Sequence, residues 1–159
     1  MAEVGQGVFT PQVFYRDPLA ALHWLEAAFG FETSLVVTGE DGAVGHAAMT
    51  YEGSEFDIGG EWASPELIAE AAMKSPVSLG GAGTQFVRVN LKAGLDAHCE
   101  RARAAGARIT QEPTDQFYGA RVYRALDLEG HVWTFQQVIA ELSLDDMAKA
   151  SGLSLRTKL

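Results

Sequence analysis

Apolar residues recur along this chain with two periods, one near two and one near three and a half, and the two regimes alternate. Residues 8–16, rich in Val, Phe and Tyr, read as a strand. Asp17-Pro18 then supplies an N-cap and a proline at the first helical position. Residues 19–29 read as a helix with Leu22, Leu25 and Phe29 on one face, closed by Gly30 just past its end. Three strands are predicted next, at 31–38, 44–51 and 55–59, joined by turns at Gly39-Glu40-Asp41-Gly42 and Glu52-Gly53. Ser64-Pro65-Glu66 opens a predicted short helix over 67–73. The glycine-rich stretch 75–83 then reads as a linker.

The same order then repeats. Residues 85–91 read as a strand, and 95–105 as a helix with Leu95, Cys99 and Ala102 inward and Gly106 closing it. A short strand is predicted at 107–111. Two more, at 122–126 and 131–137, meet at the turn Asp127-Leu128-Glu129-Gly130, with 117–120 continuing the first of them. A βαβββ unit of about 60–70 residues, used twice, is an internal duplication. The expectation is an α+β domain over 1–137: module one at about 8–60, a linker at about 61–83 and module two at about 84–137. A helical arm follows over 138–159, with Ser143 opening its helix.

Several short motifs carry a family resemblance. Phe14-Tyr15-Arg16-Asp17, Ala20-Ala21-Leu22 and Ala28-Phe29-Gly30-Phe31 resemble the opening of a vicinal-oxygen-chelate module. The run Arg101-Ala102-Arg103-Ala104-Ala105-Gly106-Ala107 resembles the helix end of a second one. Tyr118-Gly119-Ala120-Arg121, followed by Asp127-Leu128-Glu129-Gly130-His131-Val132-Trp133, resembles its closing hairpin, with Leu128 where that family usually has proline. The resemblance is to the glyoxalase/bleomycin-resistance/dioxygenase superfamily and covers about residues 8–137. It implies curled mixed sheets around a cavity, commonly in a homodimer. That family includes metal-dependent lyases, isomerases and dioxygenases as well as metal-free drug-binding proteins, so fold alone leaves function open.

Composition narrows the classes. The 159 residues are 47% hydrophobic with a net charge of −9, which suits a packed globular domain and argues against nucleic acid as a partner. No apolar run approaches the roughly 18 residues of a spanning helix, so no membrane partner is expected. The first residues show no secretory pattern, and Cys99 has no partner for an internal disulfide, which suits a cytoplasmic location. Residues 1–73 hold one base, Arg16, against twelve acids; residues 74–159 hold eleven bases against nine acids. Halves so charged attract, within a chain or between two, or are simply surfaces of different composition.

Strand alternation assigns faces. Val13, Tyr15, Phe56 and Ile58 should face the first helix, which sends Gln12, Phe14 and Asp57 to the cavity side. In module two, Val87, Val89, Trp133 and Phe135 take the helix side, leaving Phe86, Arg88, Thr134 and Gln136 inward. The positions at which the resemblance implies metal ligands fall on Thr10, Asp57, Thr84 or Phe86, and Thr134. Of these only Asp57 is a good ligand for a catalytic metal, and an inward Arg88 opposes a cation. No metal, cofactor or catalytic residue is therefore assigned. The predicted ligand-binding residues are Phe14, Asp57, Trp62, Phe86, Arg88, Tyr118, Arg121, Tyr123 and Thr134. The expected function is metal-free binding of a small cationic or aromatic molecule by a homodimer. The alternative is a lyase, isomerase or dioxygenase-type enzyme, metal-dependent or using Asp57 as a base.

Overall fold

The computed structural model describes residues 7–62, 72–83 and 85–158. Its elements follow the duplicated order. Module one is β1 (Gln12–Tyr15), α1 (Pro18–Phe29), β2 (Glu32–Thr38), β3 (Val44–Tyr51) and β4 (Ser54–Gly60). Module two is β5 (Phe86–Asn90), α2 (Leu95–Ala104), β6 (Arg108–Asp115), β7 (Ala120–Leu126) and β8 (Val132–Val138). A last helix, α3, spans Leu144–Ser151. The strand orders, β1-β4-β3-β2 and β5-β8-β7-β6, are the same arrangement twice. In each sheet the first strand pairs parallel with the last and the other pairs are antiparallel.

Local chemistry sets the helix ends. The Asp17 carboxylate accepts from the Ala20 amide at 3.0 Å, satisfying an amide that the first turn of α1 leaves free. At the far end Arg101 of α2 donates to the Glu26 and Ala27 carbonyls, both at 2.9 Å, so one module caps the helix of the other. Gly30 has φ +74°, and a Cβ there would lie 2.7 Å from the Arg101 guanidinium, so both backbone and space call for glycine. Ser143 caps α3 by accepting from Asp146, as its sequence suggested.

One core serves both modules. Val13, Tyr15, Phe56 and Ile58 of sheet one, and Trp133 and Phe135 of sheet two, turn to the helices as alternation requires. Phe29 lies 5.5 Å from Trp133 and 4.8 Å from Phe135, ring centre to ring centre, and Phe31 lies 5.3 Å from Trp133. Cys99 is fully buried among these residues, the small core residue its helical position predicts.

Two expectations need correction. Residues 117–119 are not strand: Gln116 and Ala120 close a turn there, with Gly119 at φ +80°. β6 runs on to Asp115 through Pro113, which an edge strand tolerates because one side of it needs no amide. The predicted helix over 67–73 lies largely outside the described residues. Its last residue, Met73, forms a two-bond bridge with Trp62 (3.1 and 2.7 Å), so Trp62 is anchored by its backbone. No described helix is long and apolar enough to cross a membrane.

Candidate functional site

Each sheet has a helix-facing side and a distal side, and register fixes what stands on the latter. On sheet one a row runs Gln12, Asp57, Ala48, Leu35, and the next runs Phe14, Gly59, His46, Val37. Glu55, Thr50 and Glu32 form a third. On sheet two the rows are Phe86, Val132, Leu126, Arg108; then Arg88, Thr134, Arg124, Gln111; then Asn90, Gln136, Val122, Thr114. The charges separate. Sheet one's rows carry three carboxylates and no Lys or Arg; sheet two's carry three arginines and no carboxylate.

Between the sheets is a seam. Gln85, just before β5, donates to the Gln12 carbonyl and accepts from the Phe14 amide at 3.4 Å. The His131 ring lies 2.6 Å from the Phe14 carbonyl through Nε2. Further along, the edges part and leave a cleft of about 370 Å³. Its floor is the core's aromatic edge, Phe31, Phe56 and Trp133. Phe9 and Pro11 cover one side, and Arg88, Asn90 and Val89 of β5 form the other. The rim is charged: Lys92 and Glu52 pair at 2.7 Å across the modules, and that hydrogen bond and charge raise the lysine's pKa. Glu55 and Arg88 also face the opening.

The sequence-predicted residues divide sharply. Arg88 lines the cleft, and Thr134 stands beside it in the same row. Phe86, 60% exposed, lies one row away. Phe14 and Asp57 are on the distal side of sheet one as expected, Phe14 buried and Asp57 partly exposed. Asp57 does not pair with Arg88; among the described residues it faces His46, Nε2 to Oδ1 3.9 Å. Arg88 is exposed, not the buried charge that inward placement suggested. Tyr123 is a correction: it is fully buried on the helix side, stacked on Phe135 at 4.9 Å, its hydroxyl 2.6 Å from His98 Nδ1. Arg121 is held by Asp96 (2.8 Å) and Asp115 (2.7 Å) at the β6–β7 turn. Tyr118 packs edge-on against Phe117 in that turn, and neither it nor Trp62 lines the cleft.

Two residues were missed. Arg124 occupies the distal face because alternation in β7 runs opposite to the assignment that made Tyr123 a lining residue. His46 shares Asp57's face, which the two-residue turn Glu52-Gly53 fixes by pairing Tyr51 with Ser54. Both turn residues have positive φ, +52° and +82°, as such a hairpin requires.

The family metal can be tested on this donor set. Asp57 and His46 stand together, but Gln12, Ala48 and Gly59 surround them. Thr10 is exposed ahead of β1, Phe86 offers no donor, and Thr84 lies outside the described residues. No group of three His, Cys, Asp or Glu side chains converges among the described residues. These residues do not fit a catalytic divalent ion, which takes about three such ligands.

Comparison with known proteins gives a consistent picture. The family model described as glyoxalase/bleomycin resistance protein/dioxygenase superfamily matches residues 7–135. An uncharacterized protein from Mycobacterium bovis is 29% identical over 142 residues, 89% of this chain and 90% of its own length. The crystal structure of TioX from Micromonospora sp. ML1 is similar with a TM-score of 0.66 and 30% identity, covering 84% of this chain and 99% of that one. The fosfomycin resistance protein FosX from Listeria monocytogenes, complexed with Mn(II) and sulfate, shares the fold alone. Its TM-score is 0.58 at 15% identity, over 91% of this chain and 96% of that one.

Proposed function

The chain belongs to the glyoxalase/bleomycin resistance protein/dioxygenase superfamily, and from that premise we propose that it binds a small, partly aromatic organic molecule in the seam cleft without a bound metal. The observation that carries this reading is the cleft itself. It is about 370 Å³, the size of a small ligand site, floored by aromatic edges and rimmed by a few polar groups. Planar rings stack or meet edge-on with such a floor. Local charge, not the acidity of the whole first half, governs what enters: Arg88 and Lys92 stand against Glu52 and Glu55. The cleft therefore selects for aromatic character, and its mixed rim sets no preference for a cation. Binding, rather than turnover, is favoured because the acid and base at the rim, Glu52 and Lys92, are engaged with each other at 2.7 Å, and His46 and Asp57 do not line the cleft. We place the protein in the cytoplasm as a homodimer, in keeping with its lone cysteine and the opposite charge balance of the two halves of its chain.

The test is a thermal-shift and calorimetric screen of bicyclic aromatic compounds, carried out with and without added divalent ions. Saturable binding that Asn90→Trp abolishes by filling the cleft, and that chelators leave unchanged, is the expected result. Binding that survives Asn90→Trp places the ligand elsewhere. Binding that requires stoichiometric Mn, Fe, Ni or Zn overturns the metal-free reading.

A further inference from the structure

We propose that the distal face of sheet two holds an oxyanion, gripped by Arg88 and Arg124 over Thr134. This rests on the seam cleft being the ligand site and adds the chemical class of the ligand's polar end: a carboxylate or phosphate monoester. The three residues belong to one transverse row, on β5, β8 and β7. Arg88 and Arg124 are thus two inter-strand spacings apart, about 10 Å at the backbone. Both side chains are long enough to close on one anion from opposite sides.

Three observations converge on this row. First, the face is cationic without compensation. Arg88, Arg108 and Arg124 share it, no carboxylate stands in its rows, and none of the three makes an ion pair among the described residues. Second, Arg124 is held but unsatisfied. One terminal nitrogen donates to Gln111 Oε1 at 2.6 Å, and the guanidinium carbon sits 5.9 Å from the Phe86 ring centre. Its Nε is buried with no acceptor. Third, Thr134 is only 4% exposed and its hydroxyl also has no partner. Buried donors without acceptors are costly, and two in one row, beside a second guanidinium, call for an acceptor with several oxygens. Arginine forks suit carboxylate and phosphate oxygens in geometry as well as charge.

The position fits the cleft. Arg88 lines the cleft and ends the row, so an aromatic body in the seam would carry its anionic group onto the sheet-two face. The carboxylates of sheet one, Glu32, Glu55 and Asp57, would repel that group and set its direction.

The experiment uses inorganic phosphate, phenyl phosphate, benzoate and uncharged benzyl alcohol at matched ionic strength, followed by calorimetry and thermal unfolding. Phosphate and phenyl phosphate should raise the melting temperature of the full chain with the logarithm of their concentration. Arg124→Gln should weaken both at least tenfold, with Arg124→Lys intermediate. Thr134→Val should weaken them while the empty protein melts no lower, because it removes an unpartnered buried hydroxyl. No saturable phosphate effect beyond that of chloride, or equal affinity in Arg124→Gln, overturns the proposal and leaves these arginines to a carboxylate of another chain. Benzyl alcohol binding as well as phenyl phosphate also overturns it, while leaving the cleft reading intact. Phosphate binding with no gain from the phenyl group supports the subsite and overturns the cleft.

Discussion

The Tyr15 hydroxyl donates to Asp127 Oδ2 at 2.6 Å, a buried hydrogen bond that ties the first strand of module one to the closing turn of module two. Asp127 does more. The same oxygen accepts from Trp133 Nε1 at 2.9 Å, and its other oxygen accepts from the Glu129 and His131 amides, both at 3.0 Å. Glu129, in the same turn, accepts from the Arg16 and Asp17 amides. The Asp-x-x-Gly-His-x-Trp run that carried the family resemblance is thus a fastening between modules, with His131 turned to the Phe14 carbonyl. Burial first, and then the Asp127 charge, push the Tyr15 phenol well above its ordinary value, so it stays a donor.

Tyr15→Phe should therefore destabilise the fold by about 1.5–3 kcal/mol, the range for a lost hydrogen bond to a charged group. Asp127→Ala should cost more, about 3–5 kcal/mol, because it strands four donors and opens space against Trp133. Denaturant unfolding measures both. A loss below about 0.5 kcal/mol in Tyr15→Phe, within the range of ordinary surface changes, would show that the link carries little.

Stability should also depend on His98. Burial, and then the charge of Arg101, lower its pKa, while the hydrogen bond to the Phe29 carbonyl opposes the shift. Nε2 donates to that carbonyl at 2.9 Å, which leaves Nδ1 to accept from Tyr123 at 2.6 Å. A folded-state pKa below the unfolded value of 6.5 means that the unfolded chain binds the extra proton first. The contribution is complete above pH 6.5, falls as pH drops below it, and levels off below the folded-state pKa. Unfolding free energies measured from pH 7.5 to pH 5 should fall less steeply in His98→Gln than in the parent protein; equal slopes would assign the pH dependence to other groups.

Most of the fold was legible because local signals and periodicity agreed. Asp17-Pro18 and Gly30 bracket α1, the Glu52-Gly53 turn sets the register of β3 and β4, and apolar alternation placed Val13, Tyr15, Trp133 and Phe135 correctly. The distal face was harder to read. In β7 both parities carry large side chains, Tyr123 and Arg124 being neighbours, so hydrophobicity alone did not choose between them, and a one-residue error exchanged a core tyrosine for a surface arginine. The β6–β7 turn was misplaced because β6 runs on past its predicted end at 111, through Pro113, which a strand at a sheet edge tolerates. The seam cleft depends on how two sheets meet, which no local pattern encodes.

Cys99 should be inert in the native protein. It is fully buried, and loss of hydration pushes its thiol up to about 11, so little thiolate exists at neutral pH. Reaction with a disulfide reagent at pH 8 should proceed at the rate of unfolding or local opening and become immediate in denaturant. Fast stoichiometric labelling of the folded chain would show that α2 opens readily from the core.

Self-association is expected from the way the two outer edges differ. β6, the free edge of sheet two, is guarded by Arg108, Glu112, Pro113 and Asp115, the charges and proline that discourage pairing. β2, the free edge of sheet one, exposes Leu35, Val36 and Val37 in succession, with no charge among them. An apolar edge of this kind is a liability in a monomer and ordinary in an interface. α3 adds an arm whose Leu144 is exposed and which buries no residue within its own chain. Light scattering at micromolar concentration should give twice the 17.1 kDa chain mass, and Val36→Lys should shift the protein to monomer without unfolding it. A parent protein that stays monomeric at physiological salt would mean that the β2 edge is tolerated bare.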